Sequence, residues 1–105
     1  MVNNKVLLEN RNFATSCSDE ISLLTQIAKT EFQVEPEENP QEIPGGNQYA
    51  RFKTTMTFGG KEVGFAVGRN KKESKLFACK HILMAMVPNL YKEWLKHHQP
   101  GLHSM

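Results

Sequence analysis

The sequence has few cysteines and no cluster of metal-ligating residues. Only two cysteines, Cys17 and Cys79, occur in 105 residues, and neither stands at a metal-binding spacing from the other or from the four histidines. We therefore expect no disulfide, no metal ion and no cofactor. Cys79 lies in an apolar segment and is interpreted as a small core residue. Reduced thiols are typical of an intracellular protein.

Long apolar runs and catalytic patterns are also missing. No segment reaches the roughly 18 consecutive apolar residues that indicate a membrane-spanning helix, and the first residues do not resemble a signal peptide. We therefore expect no membrane association. No nucleophile stands with a base and a carboxylate in a catalytic pattern, and the adjacent acids Glu37 and Glu38 lie among prolines. The sequence therefore predicts a protein that is not an enzyme.

A strong net charge is absent too, but the charges are unevenly distributed. The formal net charge is +2 and the pI is about 8.6, which alone would not indicate nucleic-acid binding. Acidic residues are concentrated in residues 31–42, whereas basic residues follow later in the chain. These later basic residues are Lys61, Arg69, Lys71, Lys72, Lys75 and Lys80. They predict a local basic patch.

The remaining pattern is that of one small domain with helices and strands. A hydrophobic content of 39% is ordinary for a globular protein of this length. Ser18 and Asp19 can cap a first helix from about 19 to 31, in which apolar residues recur at helical spacing. Residues 32–35 alternate like a strand, although prolines follow them.

A β-hairpin is predicted in the middle of the chain. Residues 49–58 alternate between apolar and polar side chains, with Phe52 and Met56 on the face that would meet the helices. The glycine pair that follows tolerates positive φ, as a two-residue turn requires. Residues 61–67 then return as the next strand.

A second helix is predicted from about 71 to 87. Asn70, followed three residues later by Glu73, is a capping-box-like start. Three lysines in or just after the first turn oppose the helix macrodipole, which favours a functional role, since a helix N-terminus with ammonium groups suits a phosphate. These lysines are Lys71, Lys72 and Lys75. The helix is apolar almost all round after Leu76, so we expect it to be covered on more than one side.

A short third helix is predicted after Pro88. Asn89 would cap it, and Trp94 would hold it against the second helix. The sequence thus divides into an irregular lead-in (1–17), a domain (18–88), a C-terminal helix packed on it (89–98) and a flexible tail (99–105).

Residues 68–80 carry a recognisable signature. They read Gly-Arg-Asn-Lys-Lys-Glu-Ser-Lys-x-x-Ala-x-Lys, which closely resembles the start of the last helix in the double-stranded RNA-binding domain family. The resemblance implies an α+β fold of order α-β-β-β-α, with a three-stranded antiparallel sheet, two helices on one face and an extra C-terminal helix. Residues 45–52 resemble the family's Gly-Pro-x-His-x-x-x-Phe loop, with Gly46 and Gln48 in place of Pro and His. This alignment moves the first strand to about 37–44.

The resemblance also implies where RNA binds. The first helix would contact a minor groove, where the Gln26 amide can both donate to and accept from a ribose 2′-OH. The residues expected to contact RNA are Thr25, Gln26, Lys29, Asn47, Gln48, Arg69, Asn70, Lys71, Lys72 and Lys75. No catalytic or metal-binding residue is expected.

Two functions are compatible with these features. The first is non-catalytic, shape-specific binding of double-stranded RNA. The helix bearing Trp94 narrows the resemblance to nuclear members that present primary microRNA hairpins to a Drosha-type ribonuclease III in a Microprocessor-type complex. The alternative is a protein interaction or dimerisation module with weak RNA binding.

Overall fold

The structure, a computed structural model, describes residues 17–98 and confirms the predicted fold class. The elements are α1 (Glu20–Ile27), β1 (Pro36–Glu42), β2 (Phe52–Phe58), β3 (Lys61–Gly68), α2 (Lys71–Met86) and α3 (Pro88–His98). A π-helical turn, Ala28–Phe32, continues α1. The predicted lead-in and tail lie outside the described residues apart from Cys17, and the division of the chain near residue 88 stays a prediction. Between residues 17 and 98, no helix is long and apolar enough to cross a membrane.

The three strands form one antiparallel sheet in the order β1-β2-β3. The predicted first strand at 37–44 is confirmed, with β1 as its observed extent. Pro36 and Pro40 are tolerated because β1 is an edge strand and needs backbone hydrogen bonds on one side only. The strand suggested by the alternation in 32–35 is wrong, since this segment ends the π-helical turn and Gln33 adopts a left-handed φ of 58°.

The β2–β3 hairpin forms as predicted. Gly59 and Gly60 both have positive φ, 57° and 85°, which suits the tight connection between twisted antiparallel strands. The second strand begins at Phe52, three residues later than predicted from the alternation. Met56 is buried on the helix-facing side, which confirms the predicted face.

The core lies between this sheet and the helices. Its fully buried apolar side chains include Leu23, Leu24, Ile27, Ile82, Leu83, Val87 and Leu90. Helix α2 packs closely on β3, because Gly64 leaves no side chain between them. A Cβ atom at residue 64 would lie 2.5 Å from Ile82 Cγ1.

One buried polar pair joins α2 to β2. The Ser74 hydroxyl donates to the Lys71 carbonyl at 2.9 Å, so Thr54 must donate to Ser74 Oγ across their 2.6 Å contact. Both side chains are fully buried, and both hydroxyl groups are satisfied. Ser74 is therefore accommodated at the buried contact between α2 and β2.

Helix α2 is covered on more than one side, which confirms the prediction, but one stripe of its surface is exposed. Phe77 and Met84 are 40% and 43% exposed, and His81 between them is also exposed. These residues lie at spacings of four and three, so they form one stripe on the helix surface. The sheet, α1 and α3 cover the remaining sides and leave this stripe to solvent.

Helix α3 begins at Pro88, so the prediction that Asn89 caps it is wrong. Proline suits the first position of a helix because its missing N–H needs no partner there. The helix contacts α2 as predicted, but its buried hydrogen bonds reach the start of α1. Trp94 Nε1 donates to the Cys17 carbonyl at 3.1 Å, and the Tyr91 hydroxyl donates to Glu20 Oε2 at 3.1 Å.

Candidate nucleic-acid interface

The start of α2 is fixed by its cap and by a close approach of β3. Asn70 has extended backbone angles, and its Oδ1 accepts a hydrogen bond from the Glu73 N–H at 2.8 Å. Gly68 lies against the first turn of the helix, so that a Cβ there would be 2.6 Å from the Ser74 nitrogen. The chain therefore leaves β3 and enters α2 within three residues. This arrangement holds Lys71 and Lys72 at the end of the sheet.

Arg69 is engaged by Glu73 rather than free for a ligand. Its Nη2 lies 2.7 Å from Glu73 Oε2, its Nε lies 3.0 Å from the same oxygen, and its backbone N–H donates to Oε1 at 3.0 Å. These hydrogen bonds and the opposite charge raise the pKa of Arg69, and the hydrogen bonds from Arg69 lower the pKa of Glu73. The predicted capping box is confirmed at Asn70, but Glu73 reaches back to Arg69 instead of to Asn70. Arg69 and Asn70, which are both predicted to contact RNA, therefore also stabilise the helix start.

The three lysines of α2 have different surroundings. Lys71 is exposed and its Nζ lies 5.9 Å from the centre of the Phe52 ring, a cation–π distance. Lys72 is exposed and has no ion pair within residues 17–98. Lys75 is half-buried, and its Nζ donates to Glu38 Oε1 at 2.6 Å. Two of the three ammonium groups are thus open to solvent, while the third is paired across to β1.

The next group of predicted residues lies on α1 and on the π-helical turn that continues it. The Thr25 hydroxyl donates to the Ile21 carbonyl at 2.8 Å, so its proton is used within the helix. Gln26 is exposed and its Nε2 donates weakly to Thr30 Oγ1 at 3.3 Å, which leaves the amide oxygen without a partner in the described part of the chain. Lys29 Nζ lies 3.6 Å from a carboxylate oxygen of Glu35, and both side chains are largely exposed. Gln26 is therefore the most available hydrogen-bonding group here.

The β1–β2 loop holds Asn47 and Gln48. Asn47 Oδ1 accepts from the N–H groups of Tyr49 and Ala50, at 2.8 and 3.0 Å, so this side chain fixes the loop. Gln48 is exposed. Tyr49 is 70% exposed, although the alternating pattern had assigned it to a strand. The preceding Gly-Gly-Asn run is the local signal that could have extended the loop to this residue.

The sheet register shows which of these groups lie together. Phe52 pairs with Gly68, and the Arg51 N–H donates to the Gly68 carbonyl at 2.9 Å. The β1–β2 loop and the start of α2 therefore lie at the same end of the sheet. The end of the π-helical turn lies at the other end, since the rings of Phe32 and Phe58 are 5.4 Å apart. Seven strand residues separate these ends, a distance of about 20 Å.

Sequence reasoning missed three members of this surface. Tyr49 adds an exposed aromatic side chain to the loop, and Phe52 lies beside Lys71. Lys71, Lys72 and Lys75 form the lysine row of α2, and Glu38 brings a carboxylate to this row. Within residues 17–98, no group of three or more potential ligands is placed to hold a metal ion.

This arrangement defines the class of protein. Exposed lysines at a helix start, a polar loop beside them and a separate polar helix face are features of a nucleic-acid-binding module. Residues 21–85 match the family described as the double-stranded RNA binding motif, and the chain belongs to this family. The matched domain is a non-catalytic module that binds double-stranded RNA. A search of curated proteins found no significant match.

Proposed function

We propose that this domain binds hairpin RNA by its shape, as the non-catalytic subunit of a complex in which a Drosha-type ribonuclease III performs cleavage. The observation that carries the RNA-binding surface is the pair Lys71 and Lys72, exposed at the start of α2 beside the β1–β2 loop. Their ammonium groups and the helix N-terminus both favour phosphate.

In this proposal, three regions divide the contacts with the duplex. Lys71, Lys72 and Lys75 contact phosphates across the major groove. Gln26 on α1 contacts ribose 2′-OH groups in one minor groove, with Thr25 and Lys29 beside it. The loop with Asn47 and Gln48, together with Tyr49, contacts the successive minor groove. The β1–β2 loop and the end of the π-helical turn that continues α1 lie at opposite ends of the sheet, about 20 Å apart, which supports contacts at more than one groove.

The identity of the RNA ligand is proposed from a resemblance to one member of the family. The combination of Asn70-Lys71-Lys72, Pro88 and Trp94 resembles the second double-stranded RNA-binding domain of Pasha, the partner of Drosha in the nuclear Microprocessor complex. On this basis the ligand is a primary microRNA hairpin and the protein works in the nucleus.

The alternative function is a protein-binding module with weak RNA binding. The exposed Phe77 and Met84 favour it, because apolar side chains on an open helix face suit a protein partner. Trp94 does not contribute to such a surface, since it is 2% exposed.

A titration of the domain with duplex RNA, duplex DNA and single-stranded RNA tests the proposed function. We expect selective binding to duplex RNA, because lysine contacts are common to all three polymers while groove shape and the 2′-OH are not. Equal affinity for the three polymers would support non-specific charge attraction instead.

The variant K71Q/K72Q tests the phosphate contacts. Its affinity should fall for every duplex RNA, and the slope of log affinity against log salt should become shallower by about one to two units. The variant K92Q/K96Q on α3 removes the same charge and is the matched control. Equal losses in both variants would contradict the assignment to the start of α2.

A further inference from the structure

We propose that Glu38 sets the RNA affinity of this domain by competing with phosphate for Lys75. This inference rests on the proposed function, because it concerns the same lysine row. It assigns to an acidic residue of β1 a role that the sequence pattern of α2 does not suggest.

The position of Glu38 follows from the sheet register. Glu38 pairs with Met56 in β2, and Met56 is buried toward the helices. Opposed residues of an antiparallel pair project to the same side of the sheet, so Glu38 lies on the helix-facing side of an edge strand. Its carboxylate reaches the second turn of α2, where Lys75 Nζ donates to Oε1 at 2.6 Å.

The pairing distinguishes Lys75 from its neighbours. Lys71 and Lys72 have no carboxylate partner in the described part of the chain, and Glu73 is occupied by Arg69. A distance of 2.6 Å is short for a charge-assisted hydrogen bond. A phosphate oxygen that approaches Lys75 must therefore displace a carboxylate, or approach an ammonium group whose charge is already compensated.

The solvent exposure of the Lys75–Glu38 ion pair limits how strongly this pair changes the RNA affinity. The side chains of Lys75 and Glu38 are 26% and 42% exposed, so solvent screens their attraction. Exposed ion pairs have modest strength, so the need to break this pair when RNA binds lowers the affinity of the parent protein by about 1.5- to 5-fold. Glu38 therefore lowers the affinity for RNA without preventing binding.

Salt dependence provides a second signature of competition. In the parent protein Lys75 exchanges a carboxylate for a phosphate, so its contact adds little to the net release of counterions. Once Glu38 is neutral, the same contact should add up to about one unit to the slope of log affinity against log salt.

The test is a double-mutant cycle on Glu38 and Lys75 with a matched control. Affinities for an RNA duplex of about 16 base pairs or longer would be measured across a range of salt concentrations for the parent, E38Q, K75Q and E38Q/K75Q. E37Q is the control, because Glu37 is the adjacent acid on the opposite side of β1 and has no ion pair within residues 17–98. E37Q removes one negative charge, as E38Q does. Circular dichroism of each variant verifies that the fold is retained.

We expect E38Q to bind duplex RNA about 1.5- to 5-fold more tightly than the parent, with a steeper salt slope, and E37Q to change less. K75Q should weaken binding more in the E38Q background than in the parent. The inference is overturned if E38Q and E37Q behave alike, or if the gain from E38Q persists when Lys75 is replaced. If neither the parent nor any variant binds duplex RNA, the proposed function fails as well. Binding by the parent with no effect of E38Q removes only the inference.

Discussion

Replacement of Trp94 by alanine should be the most damaging single change in α3. The indole is 2% exposed, donates a hydrogen bond to the Cys17 carbonyl at 3.1 Å, and stacks on His98 with ring centres 4.3 Å apart. Truncation of a buried aromatic side chain to alanine costs about 3–5 kcal/mol. A domain of this size has a free energy of unfolding of about 5–15 kcal/mol, so W94A should lose a large part of its stability.

W94F separates the contributions of the hydrogen bond and of the apolar surface. Phenylalanine retains an aromatic ring but cannot donate to Cys17, and we expect a loss of about 1–2 kcal/mol from the hydrogen bond and the reduced volume. F77A is the matched control, since Phe77 is an exposed aromatic residue and its truncation should cost less than about 1 kcal/mol.

Urea denaturation followed by far-ultraviolet circular dichroism measures these differences. Tryptophan fluorescence is unsuitable, because Trp94 is the single tryptophan of the chain. The denaturation midpoint should fall while the dependence of the free energy on urea stays constant. If W94A were within about 0.5 kcal/mol of F77A, Trp94 would not hold α3 in place, and its burial would have no energetic consequence.

Three further results are expected. Q26A should lower affinity for duplex RNA by about 0.5–1.5 kcal/mol, the net strength of one hydrogen bond, and leave duplex DNA binding unchanged; equal losses for both polymers in parallel titrations would contradict ribose recognition. G68A should destabilise the fold by about 1–3 kcal/mol in urea titrations, because its Cβ would lie 2.6 Å from the Ser74 backbone nitrogen. In a C17S variant, the Cys79 thiol should react with a disulfide reagent at pH 8 no faster than the protein opens, since burial raises its pKa to about 12; rapid reaction of the folded protein would show that the thiol is accessible.

The sequence alone was sufficient for the elements that depend on neighbouring residues. The start of α2 follows from Asn70 and Glu73, and the hairpin turn follows from two glycines that adopt positive φ. In both cases the deciding interactions lie within four residues, so the local pattern contains them. Local pattern alone does not define the first strand, because two prolines are tolerated only at a sheet edge and the edge is defined by the other strands.

The tertiary structure decided the contacts between distant residues. Glu38 and Lys75 are 37 residues apart in the sequence, and the partners of Trp94 and Tyr91 lie 77 and 71 residues away. The signature at residues 68–80 identifies the lysine row, but the free or paired state of each ammonium group depends on which strand packs beside α2. The sequence therefore determined the fold and the chemical type of the surface. The packing of edge strand β1 beside α2 determined how many charges of this surface remain available. Short-range sequence patterns carry no information about which strand lies beside a helix.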